Sequence, residues 1–176
     1  MLAVLNDIVA VLVLAAFPAA LAAAAMSDFL TMKISNRLSL ALAAAFFILA
    51  PLVGLPLVDF GLSLGAALIV FAVCFTLFAM NVMGGGDAKL LTAAALWFGL
   101  TSSLLTFLVL VAYIGGGVTL LFLLLRARAD LVMSIGIPLP VSVVGTKKIP
   151  YGIAIALGGL LAFGESPVAI LALKAF

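Results

Sequence analysis

Residues 61–80 read GLSLGAALIVFAVCFTLFAM, twenty residues without a charge, a carboxamide or a proline. At about 1.5 Å of rise per residue, a helix of this length matches the ~30 Å hydrocarbon core of a bilayer. Runs of similar character lie on both sides. Toward the N-terminus are residues 2–25, with Asn6 and Asp7 near the start, and residues 38–53, a shorter run ended by Gly54 and Pro56. Toward the C-terminus are residues 88–100 (to Ser103 at most), residues 104–125, and a run that begins at Ile149 and reaches about Phe163. Gly164-Glu165-Ser166-Pro167 then interrupts before an apolar tail, residues 168–173, which either lies at the interface or continues a broken helix. The pattern predicts an all-α membrane protein of about six transmembrane helices. The fourth is the shortest and is expected to be tilted or partly re-entrant. No repeat or low-complexity linker divides the chain, so residues 1–176 are expected to form a single integral-membrane domain.

Composition narrows the chemistry. The chain is 68% hydrophobic and 8% charged, with mean hydropathy +1.54; soluble domains carry roughly 25% charged residues. There is no histidine, which removes Ser-His and Cys-His nucleophiles and imidazole-containing zinc sites. The one cysteine, Cys74, sits among Phe71, Val73 and Phe75, where a buried apolar thiol is expected. A net charge of +2 gives no reason to expect a nucleic-acid partner. The first apolar run ends in the alanine-rich residues 22–25, but residues 1–9 contain Asp7 and no Lys or Arg, so a membrane span is expected there rather than a cleaved signal.

With six spans, Lys33, Arg37, Lys89, Arg126, Arg128, Lys147 and Lys148 fall on one side and only Lys174 on the other. The positive-inside rule makes the shared side cytoplasmic and the N-terminus external. Residues 126–150 form the longest polar stretch, with Ile137-Pro138-Leu139-Pro140 favouring extended geometry. It is expected to anchor on anionic lipid headgroups, the sharper alternative being a substrate-guiding loop.

Two acids stand out against this background: Asp28, in Ala25-Met26-Ser27-Asp28-Phe29, and Asp87, in Met83-Gly84-Gly85-Gly86-Asp87-Ala88-Lys89. A carboxylate beside hydrocarbon costs several kcal/mol unless solvated or partnered, which makes such residues functional candidates. Two spans separate them, so they return to one face at similar depth. Paired carboxylates share a proton, and one can activate water while the other protonates a carbonyl oxygen. This chemistry needs no cofactor. Two carboxylates alone make a poor cage for a divalent ion, so no metal is expected. Gly84, Gly85 and Gly86 allow close backbone approach, which suits a substrate strand lying against them; turn formation or helix packing is the plainer alternative. Lys89 either orients the dyad or anchors the topology.

The motifs carry a family resemblance. The stretch Asp28-Phe29-Leu30-Thr31-Met32-Lys33-Ile34-Ser35-Asn36 resembles the first-aspartate region of bacterial type IV prepilin peptidases. Gly84-Gly85-Gly86-Asp87-Ala88-Lys89-Leu90 looks like their Gly-x-Gly-Asp segment, and Lys148-Ile149-Pro150-Tyr151-Gly152 resembles their C-terminal helix entry. The compact form is similar to the peptidases of tight-adherence (Flp-type) pilus systems. The resemblance implies an aspartyl endopeptidase of the bacterial inner membrane that cleaves short basic leaders from prepilins, Flp-like pilins or pseudopilins, at the cytoplasmic face. It implies Asp28 and Asp87 as the catalytic residues, with Asn36, Lys89, Pro150, Tyr151 and Gly152 in support. Larger members carry an N-terminal cytoplasmic region with cysteine pairs and also N-methylate the product; this sequence lacks that region and has one cysteine, which argues against methylation. A proton- or cation-coupled transporter subunit and a non-enzymatic subunit of a secretion complex are the alternatives.

Overall fold

The computed structural model describes residues 2–129 and 149–175, and every regular element among them is helical. In chain order they are α1 (Leu2–Thr31), α2 (Asn36–Leu52), α3 (Leu57–Ala79), α4 (Gly85–Phe98), α5 (Ser102–Ala127), α6 (Gly152–Ala162), a 3-10 turn (Phe163–Glu165) and α7 (Pro167–Leu173). Three helices, α1 from Val4, α3 and α5, are long and apolar enough to cross a membrane. Helix α6 with its 3-10 turn and α7 pass the same test as one span bent by 54°. Among the described residues, length and composition therefore give three or four spans rather than the expected six. The differences are α2, an apolar helix of 17 residues, and α4, of 14 residues.

The reason α4 is short lies in its surroundings. It packs against α2, α3, α5, α6 and α7, and Leu90, Ala94, Ala95, Trp97 and Phe98 have no exposed surface. A helix wrapped by protein need not match the bilayer thickness. It stops at Gly99, whose φ of 62° suits glycine and ends the helical run. Around it the other helices supply a layer of rings. Phe17 stacks on Phe163 at 4.4 Å and lies 5.3 Å from Trp97, while Phe98 stacks on Phe107 at 4.6 Å. The Trp97 indole N–H donates to the Leu42 carbonyl at 3.2 Å, which satisfies the polar edge of a fully buried ring. Helix α1 packs on α2, α6 and α7, and α5 packs mainly on α6.

Helix α1 extends past the expected end at residue 25. Hydropathy falls there, but the backbone continues helically to Thr31. The Thr31 hydroxyl donates to the Ser27 carbonyl at 2.7 Å, and Ser27 Oγ reaches forward to the Lys33 carbonyl at 2.8 Å. These hydroxyls tie the last turn of α1 to itself and to the Lys33 backbone that follows it. Asp28 is consequently inside the last turn of α1 rather than beyond it. Cys74 is buried, as expected of an apolar thiol. Residues 130–148, with the Ile137–Pro140 run, Lys147 and Lys148, lie outside the described residues.

Candidate active site

Three helix ends meet around Asp28 and Asp87. The first is the C-terminus of α1. Met32 takes a left-handed φ of 55° and its N–H donates to the Asp28 carbonyl at 2.8 Å, closing the helix. Ser35 then caps α2, accepting from the Arg37 N–H at 3.2 Å. The tight connection leaves Ile34 as a wedge beside the site.

The second is the N-terminus of α4. Gly84 is its N-cap and Asp87 lies in its first turn. A helix begins with N–H groups that lack intrahelical partners, and a carboxylate there is electrostatically complementary. The Asp87 carboxylate folds back over Gly84, since a Cβ on Gly84 would lie only 2.6 Å from Asp87 Oδ2. Gly86 abuts Ile34, where a Cβ would lie 3.1 Å from that residue's own Cβ, and Gly85 lies against the ring of Phe78. The glycine run therefore has close neighbours within the protein itself: a carboxylate, an aliphatic wedge and an aromatic ring.

The third is the N-terminus of α6. Pro150 is buried, Tyr151 is the N-cap, and the Gly152 N–H donates to Asp28 Oδ2 at 2.7 Å. This hydrogen bond spans 124 residues of chain. A Cβ on Gly152 would fall 2.9 Å from both Cβ and Oδ2 of Asp28, and 3.1 Å from Ile34 Cδ1. Only a residue without a side chain brings this backbone amide onto the carboxylate without displacing its neighbours.

The two acids line one cavity of about 300 Å³, together with Met32, Lys33, Ile34, Gly84, Gly85, Gly86 and Ile149. Their environments differ. Asp28 is 6% exposed, whereas Asp87 is half-buried. The volume is at the small end of ligand pockets, enough for a water and a short piece of extended chain. Outside the cavity, Lys89 Nζ donates to Asn36 Oδ1 at 3.0 Å and links the starts of α4 and α2. Among the described residues no group of three carboxylate, thiol or imidazole ligands comes together.

The structure thus brings Asp28, Asp87, the three glycines and Gly152 to one place, with Asn36 and Lys89 hydrogen-bonded beside it. Tyr151 faces away, against Gly115 of α5, where a methyl group would overlap its ring and hydroxyl. Sequence reasoning missed Ile34, Ser27, Thr31 and Gly115. For Ser27 and Thr31 the signal was their four-residue spacing, which suits hydroxyl-to-carbonyl bonding along a helix. For Gly115 it was the run Gly115-Gly116-Gly117 inside an apolar helix, a pattern associated with close helix packing.

The chain matches the model of the type IV leader peptidase family over residues 15–121, more than half its length, and belongs to that family. The matched stretch contains both aspartates and the glycine run and ends before α6. No curated protein and no solved structure matches the chain. Membership supports a type IV leader peptidase function, with prepilins as substrates, and the apolar helices make it a membrane protein.

Proposed function

We propose that this chain is an aspartyl endopeptidase that removes the short basic leader of a Flp-like prepilin at the cytoplasmic face of the bacterial inner membrane. One observation carries the proposal: two carboxylates from separate helices, Asp28 and Asp87, line a single cavity large enough for water and a peptide segment. The ionised member of the pair takes a proton from water as its oxygen attacks the scissile carbonyl carbon, and the protonated member gives its proton to the carbonyl oxygen. Collapse of the tetrahedral intermediate breaks the C–N bond, with a proton delivered to the leaving amine. The products are a free carboxyl on the leader and a new N-terminus on the pilin. The dyad acts as a unit, so acid and base are assigned to the pair.

The placement of the acids at helix ends supports this choice of substrate. Both acids sit at helix ends, in the last turn of α1 and the first turn of α4, with Lys33 on the cavity wall. A prepilin whose apolar helix enters the bilayer while its basic leader remains in the cytoplasm places its junction at that depth. The narrow cavity favours Gly or Ala before the cut. The same placement disfavours a transporter, whose coupling acids lie near the midplane.

Co-expression with a candidate Flp-like prepilin, in a strain without another such peptidase, tests the proposal. Mass analysis is expected to show cleavage at the junction of the basic leader and apolar helix by the wild type. Asp28→Asn and Asp87→Asn should leave the precursor intact at equal membrane abundance. Full processing by either variant would overturn the two-aspartate mechanism.

A further inference from the structure

Gly115 lies in α5, a helix that contributes no residue to the cavity wall. It is buried, and Tyr151 occupies the space a side chain would take: a methyl at Gly115 would overlap the phenol oxygen and Cζ and come within 3.0 Å of Cε1. Tyr151 is the N-cap of α6, and the next residue, Gly152, donates its N–H to Asp28 Oδ2 at 2.7 Å. Farther along the same helix pair, Gly158 meets Val111, where a Cβ would lie 2.9 Å from the Val111 backbone nitrogen. Helices α5 and α6 thus meet at two levels, through the Tyr151 ring at Gly115 and in near-backbone contact at Gly158, which together fix the position of α6 along α5. We propose that Gly115 is a remote positioning residue for catalysis. By leaving a notch for the Tyr151 ring it sets the position of the α6 N-terminus, and through it the orientation of the Asp28 carboxylate.

The physical case is one of tolerances. The Gly152 nitrogen already lies 2.7 Å from Asp28 Oδ2, the short end of the range for such a bond, so α6 cannot move closer. Moving away breaks a hydrogen bond of 2.7 Å. A displaced Tyr151 ring shifts the adjoining amide in that direction. Reacting groups misplaced by about 1 Å lose on the order of 10²-fold in rate. Gly115 touches neither substrate nor reacting atoms in this account; it acts only through Tyr151. The neighbouring Gly116 is exposed, with nothing within 4 Å of a Cβ, and provides the control.

The inference rests on the dyad proposed above for its catalytic part, and its structural part has a readout of its own. Tyr151-Gly152 is the only Tyr-Gly pair in the chain. Protein labelled with 13C at tyrosine carbonyls and 15N at glycine therefore gives a single correlated amide signal, that of Gly152. In detergent-solubilised wild type this proton is expected downfield, as a donor to a carboxylate, and slow to exchange with solvent. Gly115→Ala should shift it upfield and speed its exchange, as Asp28→Ala is expected to do, while Gly116→Ala should leave it unchanged. In the cleavage assay Gly115→Ala should lower kcat roughly 10- to 100-fold with KM nearly unchanged. In a Tyr151→Ala background the same substitution should have no further effect, because the ring it displaces is gone. An unmoved Gly152 signal in Gly115→Ala, or an equal loss of activity in both backgrounds, would overturn the positioning role. Absence of cleavage by the wild type, with the amide shifting as described, would count against the dyad and leave the Gly115-to-Asp28 linkage standing.

Discussion

The two aspartates meet their glycines across very different lengths of chain. Asp87 sits in the first turn of a 14-residue helix, and the glycine that makes room for its carboxylate, Gly84, is three positions earlier. Asp28 lies in the last turn of a 30-residue helix, and the glycine that overlies it and donates to it, Gly152, is 124 residues later. Each carboxylate has one glycine against it, and Ile34 wedges between the two glycine-bearing helix starts. The difference teaches where the site is robust and where it depends on the whole bundle. Disturbing α6 or the helices behind it should act on Asp28 first, whereas adding bulk at residue 84 should act on Asp87 directly.

The strongest way to break the comparison is to add bulk at the two overlying glycines. Gly152→Val should reduce prepilin cleavage by on the order of 10²-fold or more, since it displaces the Asp28 carboxylate and Ile34 together. Gly84→Ala should reduce it by about 10- to 100-fold by pushing Asp87 off its resting place. Both are read as precursor-to-product ratios at equal membrane abundance. Wild-type processing by Gly152→Val would deny α6 its part in the site.

Next is the glycine nearest the wedge. Gly86→Val is expected to lower cleavage much more than Val82→Ile, because a Cβ at 86 already meets Ile34 at 3.1 Å whereas Val82 is exposed. Pairing Gly86→Val with Ile34→Ala sharpens the cause. Partial recovery would assign the loss to packing on the wedge; no recovery would assign it to the substrate strand. Smaller again is the clasp between α2 and α4. Asn36→Ala and Lys89→Met each remove one hydrogen bond between exposed side chains, for a cost of about 1 kcal/mol or less. A few-fold loss of cleavage is expected, equal in the single and double variants. At the bottom of the scale, Asp59→Asn, in the first turn of α3, should leave cleavage unchanged.

The same contrast between local and distant causes governs what the sequence made legible. The uncharged run at 61–80 announced α3, and the acid after three glycines announced the start of α4, because those signals are contiguous. The end of α1 was misplaced because falling hydropathy at Ser27 and Asp28 marks the edge of an apolar run, not the end of hydrogen bonding. The burial of α4 was invisible because a 14-residue helix enclosed by five other elements needs no lipid-length apolar stripe. The family resemblance marked Gly152 as a supporting residue but did not indicate its bond to Asp28. Nothing near residue 28 specifies a donor so far along the chain, and the same holds for Tyr151 and its notch at Gly115.

The central claim is that Asp28 and Asp87 work as one unit on one cavity. Its most direct test is to compare cleavage by Asp28→Asn, Asp87→Asn and the double variant, using purified enzyme and a prepilin peptide at long reaction times. Groups that act as a unit are strongly non-additive. Each single variant is expected to fall to the same residual rate as the double. Losses that multiply, with the double variant far below either single one, would show two independent contributions and contradict a shared dyad.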